Sequence, residues 1–117
     1  RRHQIAAKYD QALQGTYLKT PYRNIKNKSA LHLYVIQVDS SQHRRIFHKL
    51  RESKIGVNLH YIPVHTQPYY QKLGFAWGNF PNSEDYYQKA ISLPPFPALT
   101  ENEQSYVIEI VKKLCDD

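Results

Sequence analysis

The sequence contains very little sulfur, with one cysteine and no methionine in 117 residues. A single cysteine, Cys115, excludes an intramolecular disulfide framework and is typical of a reducing compartment, so we expect a cytoplasmic protein. No run of about 18 apolar residues occurs, which excludes an ordinary membrane-spanning helix. The first residues lack the apolar character of a signal peptide. Because no methionine precedes Arg1, which lies within a helical pattern, we expect a chain cut from a longer protein.

Negative charge is scarce in the first half of the chain. Residues 1–54 carry 12 Lys and Arg against 3 Asp and Glu, whereas residues 55–117 carry 4 against 7. A local excess of cations interspersed with Tyr17, Tyr22 and Tyr34 could attract an anionic ligand or nucleic acid. However, the cations are spread over two predicted helices and a loop, without a recognised nucleic-acid motif. A non-enzymatic binding module for an anionic ligand or nucleic acid therefore stays open as an alternative.

The hydrophobic pattern predicts a single α+β domain, a small three-stranded and mainly antiparallel sheet covered by helices. A right-handed crossover between the first two strands leaves room for the third strand between them, in the antiparallel direction. We expect strands at residues 30–38, 57–62 and 91–93, and helices at residues 1–13, from Ser40 or Ser41 to before Gly56, at residues 83–90 with Asn82 as N-cap, and after a Thr100–Glu103 capping box.

The first predicted strand is apolar on both faces, with Leu31, Leu33 and Val35 on one face and residues 34, 36 and 38 on the other. Such a strand needs a cover on each side. We therefore expect Tyr34, Ile36 or Val38 to be partly exposed, or buried by another copy of the chain.

An aromatic stretch between Pro63 and Pro81 is predicted to form a long loop, with one helical turn after Pro68. Long loops within compact domains are usually functional or disordered, and this stretch is too aromatic for disorder. The loop is therefore the first place to look for a binding site.

Two histidines, His60 and His65, flank the start of this loop and could bind a metal, move a proton or donate to a phosphate. No cysteine or nearby carboxylate completes a metal-ligand set, so we predict no metal site. Cys115 is followed by Asp116 and Asp117, whose charge disfavours a reactive thiolate. The remaining acidic pairs are typical of helix N-termini, so the residues alone predict no catalytic group.

Three motifs in fixed order resemble the C-terminal part of the DegT/DnrJ/EryC1/StrS sugar aminotransferases. They are His60-Tyr-Ile-Pro-Val-His-Thr-Gln-Pro-Tyr-Tyr70, Phe80-Pro-Asn-Ser-Glu84 and Ile91-Ser-Leu-Pro-Pro-Phe-Pro-Ala-Leu-Thr100. The opening Arg2-x-x-Ile-Ala-x-x-Tyr9 helix and the Leu33–Ile36 strand are also similar, so the likeness covers nearly the whole chain. Within the family, the chain most resembles the transaminases of pseudaminic acid synthesis, which act on a UDP-linked 4-keto-6-deoxy-N-acetylhexosamine.

The resemblance implies a homodimeric fold-type I enzyme that uses pyridoxal phosphate, with glutamate as amino donor and a nucleotide-linked keto sugar as acceptor. In such enzymes a lysine holds the cofactor as a Schiff base, and the cofactor ring stores electrons. That lysine stands in a Ser-x-x-Lys sequence on a larger preceding domain, and no serine here is followed three residues later by lysine. The implied identity is the small C-terminal domain over residues 1–117, inactive alone, with no catalytic, cofactor-binding or metal residue assigned.

Four residues match the family's His-Tyr-x-Pro-x-His-x-x-Pro-Tyr sequence, namely His60, Tyr61, His65 and Tyr69. The resemblance implies that they line the nucleotide-sugar site, in an enzyme of surface polysaccharide or glycan biosynthesis. Imidazole and phenol groups suit a pyrophosphate and a hydroxyl-rich sugar. The two loop prolines are expected to shape the segment that carries these side chains.

Overall fold

The computed structural model describes residues 1–116 of the chain, which form five α-helices, one short 3₁₀ helix and two β-strands. The elements in chain order are α1 (Arg2–Leu13), β1 (Tyr34–Gln37), α2 (Ser40–Glu52), the 3₁₀ helix (Val64–Thr66), α3 (Pro68–Lys72), α4 (Pro81–Tyr87), β2 (Ala90–Leu93) and α5 (Glu101–Asp116). The α+β class is as predicted, and α3 is the helical turn expected after Pro68.

The sheet contains two antiparallel strands, in a register that pairs Tyr34 with Leu93 and Gln37 with Ala90. On the other side of β2, Asn58 forms an isolated antiparallel bridge with Ser92. The last strand therefore lies between β1 and the segment after α2, in the antiparallel direction, as predicted. The predicted strand over residues 57–62 is wrong, because this segment contributes only that one bridge.

Two neighbouring residues explain why the bridge at Asn58 does not extend into a strand. In one direction the next rung of the ladder would use Pro94, which has no N–H to donate. In the other direction it would use Ala90, whose carbonyl accepts a hydrogen bond from Nε2 of His43 at 3.0 Å. Pro94 therefore ends the ladder on one side of Ser92, and on the other side His43 competes for the carbonyl of Ala90.

The core lies between this sheet and helices α1, α2 and α5. Tyr34, Ile36 and Val38 are 1 %, 0 % and 3 % exposed, so the expectation that one of them would be uncovered is wrong. They alternate onto the face that the helices cover, where the Tyr34 ring lies 4.8 Å from that of Tyr9. The half-buried side of β1 is instead formed by Val35 and Gln37.

Several element ends differ from the prediction. The first strand begins at Tyr34 rather than at residue 30, after a Leu31 backbone with φ of 48° that interrupts extended structure. Helix α2 is capped by the carboxylate of Asp39, which accepts from the N–H of Ser41 at 2.8 Å. Helix α4 starts at Pro81, because proline suits the first helical position, so Asn82 is not its N-cap.

The capping box at the start of α5 is confirmed. The N–H of Glu103 donates to Oγ1 of Thr100 at 3.2 Å, and the N–H of Thr100 donates to Oε2 of Glu103 at 2.8 Å. Cations of the first half also find partners within the fold: Arg1 and Lys8 each lie 2.9 Å from a carboxylate oxygen of Glu101. Part of the local basic excess therefore holds α1 against α5.

Candidate functional site

More than half of the exposed large hydrophobic side chains among the described residues lie in the segment 61–80, called here the aromatic loop. Between residues 67 and 83 no side chain is buried, and only Tyr70 is half-buried. The large exposed side chains of the loop are Tyr61, Ile62, Val64, Tyr69, Leu73, Phe75, Trp77 and Phe80. Contiguous exposed apolar groups of this kind mark interaction or ligand-binding surfaces.

A buried hydrogen-bonded pair, His65 and Glu84, lies beneath the aromatic loop. Nε2 of His65 lies 2.8 Å from Oε1 of Glu84, and the two residues are 6 % and 8 % exposed. The N–H of Gly78 lies 2.8 Å from both carboxylate oxygens, and the N–H of Phe80 donates to Oε1 at 3.2 Å. One carboxylate on α4 therefore joins the start of the loop to its end.

The electrostatics of Glu84 follow from these contacts. Burial by itself would raise the pKa of the carboxyl group, but the hydrogen bonds from Gly78, His65 and Phe80 outweigh it and hold the pKa below its usual value. Sequence reasoning interpreted Glu84 only as an acid of a helix N-terminus. The available signal was Pro81, which starts α4 directly after the glycine-containing turn and places Glu84 within reach of the N–H groups of that turn.

A series of ring contacts leads from His65 across the loop. The centroid of the His65 ring lies 4.8 Å from that of the Phe80 ring, and the Phe80 centroid lies 6.2 Å from that of Phe75. Phe75 lies 6.3 Å from Tyr70, which lies 5.2 Å from Tyr69. These five rings form a continuous series that ends at an exposed tyrosine.

The four residues implied by the motif occupy two places. Nδ1 of His60 lies 2.7 Å from Oγ of Ser92, and the His60 ring lies 4.7 Å from that of the exposed Tyr61. His60 also lines a cavity of about 430 Å³ beside Val107 of α5. His65 lies beneath the loop, and Tyr69 is exposed at the far end of the ring series. The rings of the neighbouring residues His60 and Tyr61 are thus in contact, whereas His65 is connected to Tyr69 only through the rings of Phe80, Phe75 and Tyr70.

The described residues do not fit a covalent pyridoxal phosphate site. None of the ten lysines is buried, and the two that are half-buried, Lys8 and Lys89, are paired with Glu101 and Asp85. A lysine that acts as a nucleophile needs desolvation or a neighbouring cation to lower its pKa. Within residues 1–116 there is also no group of three or more His, Cys, Asp or Glu side chains that could hold a metal ion.

None of the helices within residues 1–116 is both long and apolar enough to cross a bilayer.

Together, the two-stranded sheet, its helical cover and the exposed aromatic loop define a small α+β fold with an exposed aromatic surface. Residues 1–112 match the DegT/DnrJ/EryC1/StrS aminotransferase family. The chain is 38 % identical over 121 residues to the spore coat polysaccharide biosynthesis protein SpsC of Bacillus subtilis, covering 97 % of this chain and 31 % of SpsC. The chain belongs to the DegT/DnrJ/EryC1/StrS aminotransferase family.

Solved structures of the family share this fold. One is the PLP form of Spr1654 from Streptococcus pneumoniae, proposed to be a sugar aminotransferase, with a TM-score of 0.91, 27 % identity, and 98 % of this chain and 30 % of that chain covered. Another is Helicobacter pylori PseC, an aminotransferase involved in the biosynthesis of pseudoaminic acid, with a TM-score of 0.87, 27 % identity, and 98 % and 32 % covered. The chain spans less than a third of the length of each of these relatives.

Acid should destabilise the fold through its carboxylates. The pKa values of Asp39, Glu84, Glu101 and Glu103 lie below their ordinary values of 3.8 for Asp and 4.5 for Glu, because each group accepts hydrogen bonds in the folded chain. A lowered folded-state pKa stabilises the fold above the unfolded-state pKa, and this stability is lost as pH falls. Urea titrations between about pH 6 and pH 3 should show a steadily falling free energy of unfolding. A free energy of unfolding that stays constant over this pH range would contradict the lowered pKa values of these carboxyl groups.

Proposed function

We propose that this chain is the small C-terminal domain, residues 1–117, of a pyridoxal-phosphate-dependent nucleotide-sugar aminotransferase. The whole enzyme transfers an amino group from glutamate to a nucleotide-linked 4-keto-6-deoxy sugar, for surface polysaccharide or glycan biosynthesis. The observation that carries the proposal is the family match over residues 1–112, in a chain whose described residues contain no buried lysine. The cofactor lysine then belongs to the larger part of the protein, and this chain alone is inactive.

The finer assignments follow the same reasoning. The likeness to PseC supports a product of the pseudaminic acid type, and the likeness to SpsC supports polysaccharide synthesis. The intact enzyme is a homodimer that acts in the cytoplasm, where nucleotide sugars and glutamate are its small-molecule partners. A single cysteine, Cys115, is in keeping with a reducing compartment.

The substrate surface in this proposal consists of His60, Tyr61 and Tyr69, and His65, the fourth residue implied by the motif, lies beneath it. Tyr61 and Tyr69 are 74 % and 67 % exposed, so their phenol groups can reach a ligand outside the domain. The ring of His60 faces the cavity beside α5 and is held by Ser92. Phenol and imidazole groups donate hydrogen bonds to phosphate and sugar oxygens. His65 belongs to the same loop, although its Nε2 is engaged by Glu84.

A hybrid enzyme tests the proposal. The chain replaces the matching 32 % of H. pylori PseC, and the hybrid is assayed for glutamate-dependent amination of a UDP-linked 4-keto-6-deoxy-N-acetylhexosamine. We expect activity that depends on pyridoxal phosphate, and a KM for the nucleotide sugar that rises about ten-fold when Tyr61 is changed to alanine, since a hydrogen bond to a charged group is worth roughly 1.5 to 3 kcal/mol. A matched control is Tyr22→Ala, at a tyrosine that is 90 % exposed outside the aromatic loop.

Two results would contradict the proposal. A folded hybrid that binds pyridoxal phosphate but aminates no nucleotide sugar contradicts the substrate assignment. The isolated chain, mixed with equimolar pyridoxal phosphate and reduced with borohydride, should show no stoichiometric lysine adduct by mass spectrometry. A stoichiometric adduct together with amination by the isolated chain would show that the enzyme does not need a larger domain.

A further inference from the structure

The carboxylate of Glu84 fills its hydrogen-bonding capacity with loop donors. Oε1 accepts from His65, Gly78 and Phe80, and Oε2 accepts from Gly78. A carboxylate offers about four acceptor positions on its two oxygens, so little capacity is left for a ligand. Glu84 is therefore committed to holding the chain rather than to contacting a substrate.

The donors come from both ends of the aromatic loop, since His65 precedes α3 whereas Gly78 and Phe80 precede α4. Between residues 67 and 77 no side chain is buried, so this segment gains little stability from a hydrophobic core. Further contacts within it are local, such as the hydrogen bond from Nε2 of Gln71 to the carbonyl of Thr66 at 2.9 Å. The Glu84 carboxylate is thus the contact that closes the loop.

The contacts that close the loop also fix the position of the exposed Tyr69. His65 contacts Phe80, and the ring series continues through Phe75 and Tyr70 to Tyr69. If the ends of the loop separate, Phe80 moves away from His65 and the series no longer fixes the far ring. The position of Tyr69 therefore depends on a carboxylate that it does not touch.

We propose that Glu84 is a positioning residue for nucleotide-sugar binding, and that the imidazole of His65 acts through Glu84 rather than on the substrate. This inference rests on the proposed function, because it concerns the same surface. It assigns direct contact to the exposed tyrosines and a supporting role to the buried pair of His65 and Glu84. The loop is then preorganised before the sugar nucleotide arrives, which reduces the entropy lost on binding.

The first test uses the 117-residue chain and needs no substrate. In Glu84→Gln, amide hydrogen exchange at Gly78 and Phe80 should accelerate about ten-fold or more, since a neutral acceptor holds these N–H groups less strongly than a carboxylate. Amides of the sheet at Ile36 and Ile91 should keep their wild-type rates. The matched control is Asp85→Asn, at the adjacent exposed acid that pairs with Lys89. Unchanged exchange at Gly78 and Phe80 in the Gln variant overturns the proposal.

The second test uses the hybrid enzyme. Glu84→Gln should raise the KM for the nucleotide sugar about ten-fold, with the KM for glutamate and the kcat at saturating sugar nearly unchanged, because only the sugar surface is displaced. A merely destabilised enzyme would instead lose kcat through loss of active protein. An unchanged KM for the sugar, in a variant whose loop amides exchange faster, overturns the positioning role.

Replacing His65 separates positioning from direct contact. His65→Gln keeps an N–H donor for Glu84 and should retain a sugar KM within about two-fold of wild type, whereas His65→Leu removes the donor and should resemble Glu84→Gln. Equal damage from both His65 variants would show that the imidazole itself acts on the substrate, and would overturn the inference. Failure of the proposed function is distinguishable, because it appears as an inactive wild-type hybrid.

Discussion

Replacing Ile36 by alanine should lower the free energy of unfolding by about 3 kcal/mol. Ile36 lies in β1 opposite Ile91, and both side chains are fully buried between the sheet and the helices. The truncation removes buried apolar contacts and leaves a cavity that neighbouring side chains fill only in part. Urea unfolding followed by far-ultraviolet circular dichroism measures the change. The slope of the unfolding free energy against urea concentration should be the same in the variant and the wild type, as expected when only stability changes.

Ile25→Ala is the matched control for this prediction, because Ile25 is 99 % exposed. Its replacement should change the free energy of unfolding by no more than about 0.5 kcal/mol. If the two isoleucine variants lose equal stability, the assignment of the core to the face of β1 that carries Ile36 is wrong.

Asp10→Ala should be the second large effect, with a loss of about 2 kcal/mol of unfolding free energy. Oδ1 of Asp10 accepts a hydrogen bond from the hydroxyl of Tyr34 at 2.8 Å, and Oδ2 is paired with Arg23. Tyr34 is only 1 % exposed, so the variant leaves a buried hydroxyl without its partner. Burial also raises the pKa of Tyr34 to about 12, so its hydroxyl is a donor at neutral pH.

A double-mutant cycle tests whether the Tyr34 hydroxyl causes that loss. Asp10→Ala combined with Tyr34→Phe should cost less than the sum of the two single changes, because removing both partners leaves no unpaired group. Asp85→Ala, which breaks an exposed pair with Lys89, should leave the free energy of unfolding nearly unchanged. Strict additivity in the cycle would contradict a direct contact between Asp10 and Tyr34.

The contrast between segment 57–62 and β2 shows how far local pattern predicts a strand. Both segments are short and rich in β-forming residues, yet only Ala90–Leu93 forms a strand. The difference arises from groups outside segment 57–62. The ring of His43 on α2 hydrogen-bonds to the carbonyl of Ala90, and Pro94 has no N–H to donate to the segment. Local propensity cannot show which carbonyl is already occupied.

In the candidate site too, local sequence predicts one part and distant contacts decide the other. The motif around His60 and Tyr69 locates the loop, and the number of aromatic residues indicates that it is ordered. Which of the motif side chains face outward depends on Glu84, a residue that sequence reasoning assigned to a helix terminus. The carboxylate is held inward by the N–H groups of Gly78 and Phe80 and by the ring of His65, all of which donate to it.

Local sequence pattern was enough to predict the α+β class, the four longest helical segments in their order, the capping box at Thr100, and the family resemblance of the loop motif. These features depend on residues close together in the chain, where hydrophobic period and side-chain capping act locally. Tertiary contacts were needed to show that the face with Tyr34, Ile36 and Val38 is covered, that the predicted strand over residues 57–62 is reduced to one bridge, and that Glu84 holds the loop. Each of these features involves at least one partner distant along the chain, as Asn58 is from Ser92 and His65 is from Glu84, and such contacts form only when the chain has folded.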